Sequence, residues 1–192
     1  DPQKIALNYQ RGGAHAMSVL TDQDFFQGSI NYIPLVRSTV DLPVLRKEFI
    51  IDPLQVFEAR AFGADCVLLI AEILSADQIS ELTHAAREIQ LEVLLEIHSN
   101  SQLTKVDYRF NPLIGINNRN LRDFSVDLET FGHLHEFLPA DCVSVAESGV
   151  RNPADVRRLA AMGADAVLVG EALVTAPDTF ATVRDLVAGG QA

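Results

Sequence analysis

An α/β fold built on a parallel sheet is predicted by three features of this 192-residue sequence. The first is a repeated grammar. RGGAHAMSVLTD, AFGADCVLLIAE and AMGADAVLVGEA share a glycine, an alanine, one polar residue and a short apolar run, and their key glycines Gly13, Gly63 and Gly163 stand 50 and 100 residues apart. Both spacings are multiples of about 25 residues, the length of one strand–loop–helix–loop unit. The second is a set of short runs rich in Val, Ile and Leu, which suit parallel strands covered on both faces. The third is the helix-length amphipathic segments between them, which imply right-handed crossovers. The form expected is a (β/α)8 TIM barrel with strands 2–8 present in this chain and strand 1 missing, since a closed barrel of this kind needs eight strands and typically ~250 residues. A doubly wound open sheet is the alternative. It would normally carry a glycine-rich phosphate turn, and the sequence has neither GxGxxG nor GxxxxGK[ST].

In chain order, DPQKIALNYQRGG opens at Asp1 in what reads as a helix, so a natural N-terminus further upstream is expected. The strands follow at Met17–Leu20, Val44–Lys47, Cys66–Ile70, Val93–Glu96, Leu113–Ile116, Cys142–Ala146 and Ala166–Val169. About eight helices separate them, among them Pro53–Phe62, Ala76–Ile89 and Pro153–Met162. Ser75 and Asn152 suit N-caps, and Pro53 and Pro153 suit a first turn. Each glycine of the repeat ends a helix in a left-handed turn before a buried strand. No Pro/Gly/Ser linker divides the chain, so residues 1–192 read as a single, N-terminally incomplete barrel domain.

Composition narrows the function. With 15 Lys+Arg against 26 Asp+Glu the net charge is −11, which disfavours nucleic acid and anionic membrane surfaces as partners. No apolar run is long enough to span a bilayer. Cys66 and Cys142 lie in apolar runs and read as buried small hydrophobes in a reducing compartment, the cytoplasm. The five histidines lack ligand spacing, so no metal site is expected.

In such barrels the chemistry sits at the carboxyl ends of the strands. Leu45 and Lys47 share one face of their strand, and Leu94 and Glu96 one face of theirs, so a charge continues each buried face. Buried charge is costly unless paired or used. Lys47 and Glu96 therefore read either as a structural ion pair or as a proton donor and a base. Asn117-Asn118-Arg119-Asn120 is either a turn cluster or a grip for an anionic, hydroxylated substrate. Ser148-Gly149 and Gly170-Glu171 are tight turns or the two halves of a backbone phosphate cradle. Phe26 and Phe49 are core residues or the wall for an aromatic substrate.

The ordered motifs MSVLTD…FFQGS, PVLRKEFIID, EAR…GAD, LLEIH, IGINNRNL, AESGV and VLVGEAL resemble the indole-3-glycerol-phosphate synthase family over essentially the whole chain. LRKEFIID and GINNRNL are the specific stretches; AESGV and LVGEAL occur more loosely among phosphate-binding barrels. The resemblance implies a tryptophan-pathway carboxy-lyase acting on 1-(2-carboxyphenylamino)-1-deoxyribulose 5-phosphate. It implies a phosphorylated small molecule as partner, no cofactor, and possible fusion or association with other enzymes of that pathway. By motif, Lys47 matches a proton donor to the substrate carbonyl, Glu96 the group acting on the ring proton and in dehydration, and Asn117 and Arg119 the pair that fixes hydroxyls and carboxylate. Ser148, Gly149, Gly170 and Glu171 match the phosphate region, and Ser18, Phe26, Phe49, Leu121 and Glu147 match pocket positions. Two departures stand out. The family's Glu-x-Lys pair and Ser-Pro-Ser loop on its first strand are not in this sequence, which leaves an inactive barrel fragment as one alternative. Glu171 replaces the small or hydroxyl residue of some relatives and is expected to point away from phosphate, leaving the main chain to bind it. Another phosphate-binding barrel enzyme, such as phosphoribosylanthranilate isomerase, is the other alternative; its Cys base and late Asp are not seen in the matching context.

Overall fold

A computed structural model describes residues 1–121 and 123–190. The chain runs α1 (Pro2–Gly12), β1 (Met17–Leu20), α2 (Tyr32–Arg37), β2 (Val44–Lys47), α3 (Pro53–Ala61), β3 (Cys66–Ile70), α4 (Ala76–Glu88) and β4 (Glu92–Ile97). It continues through α5 (Asn100–Leu103), β5 (Leu113–Asn117), α6 (Glu129–His135), β6 (Val143–Glu147), α7 (Pro153–Ala161), β7 (Ala166–Leu168), α8 (Glu171–Val174) and α9 (Thr179–Gly190). Local chemistry sets these boundaries. Asp52, Ser75 and Asn152 cap α3, α4 and α7 through reciprocal boxes with Gln55, Gln78 and Asp155, satisfying main-chain donors that the first helical turn leaves free. The three repeat glycines take φ of 93°, 95° and 99°, the left-handed turn that lets each helix stop and the next strand begin.

All seven strands are parallel and neighbour one another in chain order, from β1 to β7. The register pairs Leu20 with Lys47, Ile70 with Glu96, Glu96 with Gly115 and Asn117 with Glu147, so the polar strand ends share one rim. The sheet curls strongly. Strands β2 and β6 are four positions apart, about 19 Å in a flat sheet at the usual strand spacing, yet Lys47 Nζ lies 3.5 Å from Glu147 Oε2. Outside the sheet, Val67, Leu69, Leu95, Ile114 and Ile116 pack under the helices with Ile33, Val56, Ile79, Phe131 and Leu159. Inside it, Leu45, Leu68, Ile70, Leu94 and Val145 form a smaller apolar layer, flanked by Cys66, Leu113 and Leu168. The polar cluster described below stands on that inner layer.

Seven strands are seen among the described residues, the number expected in this chain, and they do not close into a barrel. Among the described residues no ladder joins β7 to β1, and the sheet is an open, seven-stranded curl. Helices from its two ends nonetheless meet: Gly12 of α1 lies so close to α9 that a Cβ there would fall 2.6 Å from Val183 Cβ. Two smaller expectations change. The sixth strand begins at Val143, because Cys142 sits in the turn closed by its own N–H to Pro139 O. Both thiols are free and half-buried rather than enclosed. Among the described residues no helix is long and apolar enough to cross a membrane.

Candidate active site

The inner face of the sheet ends in three ionisable groups from three strands. Alternation along β2, β4 and β6 carries each apolar face up to Lys47, Glu96 and Glu147, respectively. Lys47 Nζ is 3.5 Å from both Glu96 Oε2 and Glu147 Oε2. The carboxylates are almost fully enclosed, at 3% and 2% side-chain exposure, against 18% for the lysine. Two acids thus share one cation inside the curl. Burial drives the Glu147 carboxyl well above the ordinary range, the neighbouring Glu96 charge adds to this, and Lys47 only partly opposes both. Burial also pulls the Lys47 ammonium down, but Glu147 and Glu96 together outweigh it and leave its pKa raised. The cluster thus places one ammonium between two enclosed carboxyl groups, with the Glu147 proton held more tightly than in an exposed carboxyl.

Space for Glu147 comes from Gly115. A Cβ at that position would strike Glu147 Oε1 and lie 3.2 Å from Glu147 Cδ and 3.4 Å from Leu94 Cδ1. A lone glycine in mid-strand is the sequence signal of such a close approach. Sequence reasoning placed Glu147 only at a pocket position by resemblance; the alternation that singled out Lys47 and Glu96 applies equally to Val145 and Glu147.

His98 follows β4 directly and turns its ring inward, with Nε2 3.2 Å from Glu96 Oε1. Asn117 is buried beside the cluster at the end of β5, and its Oδ1 accepts the Arg119 N–H at 3.0 Å. Asn118 braces the rim, accepting from Phe131 N and donating to Ser148 O. Arg119 reaches across the mouth to Glu171, Nη2 to Oε2 at 3.1 Å. The Glu171 side chain is 81% exposed and is held by Arg119. A cleft of about 510 Å³ opens here, lined by Glu72, His98, Asn117, Arg119, Leu121 and their neighbours.

The remaining predicted positions surround this centre. Phe26 stacks on Phe49 at 5.3 Å and 7°, both half-buried, with the exposed Phe25 edge-on to Phe49 at 5.5 Å. Ser18, on β1, keeps a buried hydroxyl with no hydrogen-bond partner. Ser148 and Gly149 are both left-handed, and a Cβ at Gly149 would lie 2.6 Å from Val126. Gly170 faces open space and caps the short α8. Sequence reasoning passed over Arg46, one residue before Lys47 and pointing the other way. It is 4% exposed in its side chain and bound to Glu48, Glu58, Thr21 Oγ1 and Gln55 O, anchoring the rim segment that carries Lys47 and Phe49.

A family model described as indole-3-glycerol phosphate synthase matches residues 1–186. The chain belongs to the indole-3-glycerol phosphate synthase family. It is 48% identical to the indole-3-glycerol phosphate synthase of Rhodopirellula baltica over 98% of its own length and 73% of that protein. It is 47% identical to that of Azospirillum brasilense over 98% and 72%. Among solved structures it is similar in fold to thiamine phosphate pyrophosphorylase from Pyrococcus furiosus, with a TM-score of 0.76 at 18% identity over 98% of this chain and 89% of that one. A 3-hexulose-6-phosphate synthase gives 0.75 at 16% identity over 97% and 94%. These distant neighbours place the family's curled parallel sheet among barrel-like α/β folds.

Proposed function

We propose that this chain performs the indole-3-glycerol phosphate synthase reaction at the Lys47–Glu96–Glu147 cluster. The substrate is 1-(2-carboxyphenylamino)-1-deoxyribulose 5-phosphate. The observation carrying this reading is the single ammonium held between two enclosed carboxyl groups at the rim where Asn117 and Arg119 also converge. In ring closure, the aromatic carbon that bears the carboxylate attacks the C2 carbonyl. Lys47 supplies a proton to the carbonyl oxygen as charge develops there. Carbon dioxide then leaves and its bonding electrons restore the aromatic ring. In the last step the C2 hydroxyl takes a second proton, delivered from solvent through Lys47, and departs as water, while Glu96 takes the proton released from C1. Asn117 holds hydroxyls, Arg119 the substrate carboxylate, and Phe26 and Phe49 wall the aryl ring, with Ser18, Leu121 and Glu147 completing the pocket. The main chain at Ser148, Gly149, Gly170 and Glu171 receives the phosphate; glycine permits the close approach.

The seven strands read as strands 2–8 of a closed barrel, with a further parallel strand lying between β7 and β1. Leu20, 41% exposed, and the half-exposed β7 support this reading. Residues 1–192 read as one domain.

Indole fluorescence tests the assignment. Lys47→Ala is expected to reduce turnover at least 100-fold, in line with the usual contribution of a positioned general acid. Full turnover by that variant removes the role given to Lys47. A substrate panel that includes phosphoribosylanthranilate distinguishes this reaction from the isomerisation.

A further inference from the structure

We propose that His98 is a positioning residue that holds the Glu96 carboxylate aimed at Lys47. This rests on the reading of Glu96 as the proton acceptor. The geometry is specific. Glu96 turns Oε2 toward Lys47 and Oε1 toward His98 Nε2, at 3.5 and 3.2 Å. The two basic side chains therefore flank one carboxylate from opposite oxygens. His98 is held from behind: its main-chain N–H donates to Gln102 Oε1 at 2.6 Å, and the Gln102 amide donates in turn to Glu72.

The ring itself is 9% exposed, and neither nitrogen makes a well-aligned hydrogen bond in the ligand-free state. Catalytic hydrogen bonds are commonly loose before substrate binds and tighten in the complex. Buried nitrogens without partners are costly, so their presence within reach of a reacting carboxylate calls for a function. A doubly protonated ring would bury a second N–H with no acceptor at Nδ1. The neutral tautomer with hydrogen on Nε2 leaves only an unprotonated Nδ1 and directs its one donor at Glu96. Burial pulls the His98 pKa down, ahead of the opposing charges of Glu96 and Glu72, and Lys47 pushes the same way as burial. The charged and titratable groups facing this pair are Lys47 from β2, Glu72 beyond β3 and Glu147 from β6.

A donor to the ionised form of a carboxyl lowers its pKa, so removing the donor raises it. The acid limb of kcat/KM reports the free enzyme's base. His98→Ala is expected to move that limb upward and to reduce kcat about 10- to 100-fold, as loss of an outer hydrogen-bond partner commonly does. His98→Gln, whose terminal amide reaches as far as Nε2, is expected to return the limb to its wild-type position. A wall-filling histidine would alter melting temperature and leave the limb in place. An unmoved limb in His98→Ala overturns the proposal. If that variant does not fold, His98→Asn serves, because its amide is too short to reach Glu96. Glu96→Gln separates the two levels: full turnover there removes the role of Glu96, whereas lost turnover there with an unmoved His98 limb removes only the role of His98.

Discussion

Replacing Gly115 by alanine tests the centre of the site with a single methyl group. The backbone of β5 is held on both sides, by β4 and β6. The added Cβ therefore cannot retreat, and it meets the Glu147 carboxyl and Leu94 Cδ1. Glu147 has little freedom, since its side chain is 2% exposed. It must move by roughly 1 Å, enough to break its 3.5 Å contact with Lys47 and, at a reacting centre, to cost about 10²-fold in rate. Overpacking of this kind typically costs about 1–3 kcal/mol. For a chain of this size each kcal/mol shifts Tm by about 2–4 °C, so a drop of roughly 2–12 °C is expected. Thermal melts and indole fluorescence measure the two effects. The clash is with one named side chain, so in a Glu147→Ala background the same methyl should cost less than about 0.5 kcal/mol, and a double-mutant cycle isolates the difference. An equal cost in both backgrounds, or a fully stable and active Gly115→Ala, refutes the reasoning.

Two further outcomes follow from the same electrostatics. Glu147 has a raised pKa in the folded state, so the folded chain binds its proton more tightly than the unfolded chain does. That contribution to stability is complete at low pH and is lost as pH rises from the ordinary carboxylate value through the raised one. Glu147→Gln should therefore gain in Tm relative to wild type as pH rises across that window, and a constant gap between the two melting curves would falsify the raised Glu147 pKa. Arg119 is occupied by Glu171 in the ligand-free chain. Glu171→Ala should leave stability within about 1 kcal/mol, as for exposed ion pairs, and lower KM several-fold by freeing the guanidinium for the substrate carboxylate. The difference should narrow in high salt as screening weakens the competing pair; an unchanged KM at low salt counts against competition at Arg119.

Local rules carried much of the architecture in the primary structure. The glycine period located the helix-to-strand turns at Gly13, Gly63 and Gly163, and Ser75 and Asn152 announced the starts of α4 and α7. These signals act over a few residues: a missing Cβ permits positive φ, and a short polar side chain satisfies a free N–H. Alternation over two residues likewise carried Lys47 and Glu96 onto buried faces. The same alternation at Val145–Glu147 and the lone mid-strand Gly115 carry the rest of the cluster in the primary structure.

Curvature is of a different kind. Lys47 and Glu147 are 100 residues apart in the chain, and no local periodicity states how far a sheet of seven strands bends. That bend arises from inner-face side chains meeting one another across the curl, Leu45 and Leu68 against Leu94 and Val145. It alone converts three separate strand ends into one shared charge cluster. The Phe26–Phe49 stack and the hold of Arg119 on Glu171 likewise join segments distant in the chain. Residue types and their order determined the strands, their facing and the family; the packing of the inner layer decided which of those residues touch, because contact between distant segments depends on the summed geometry of every strand between them.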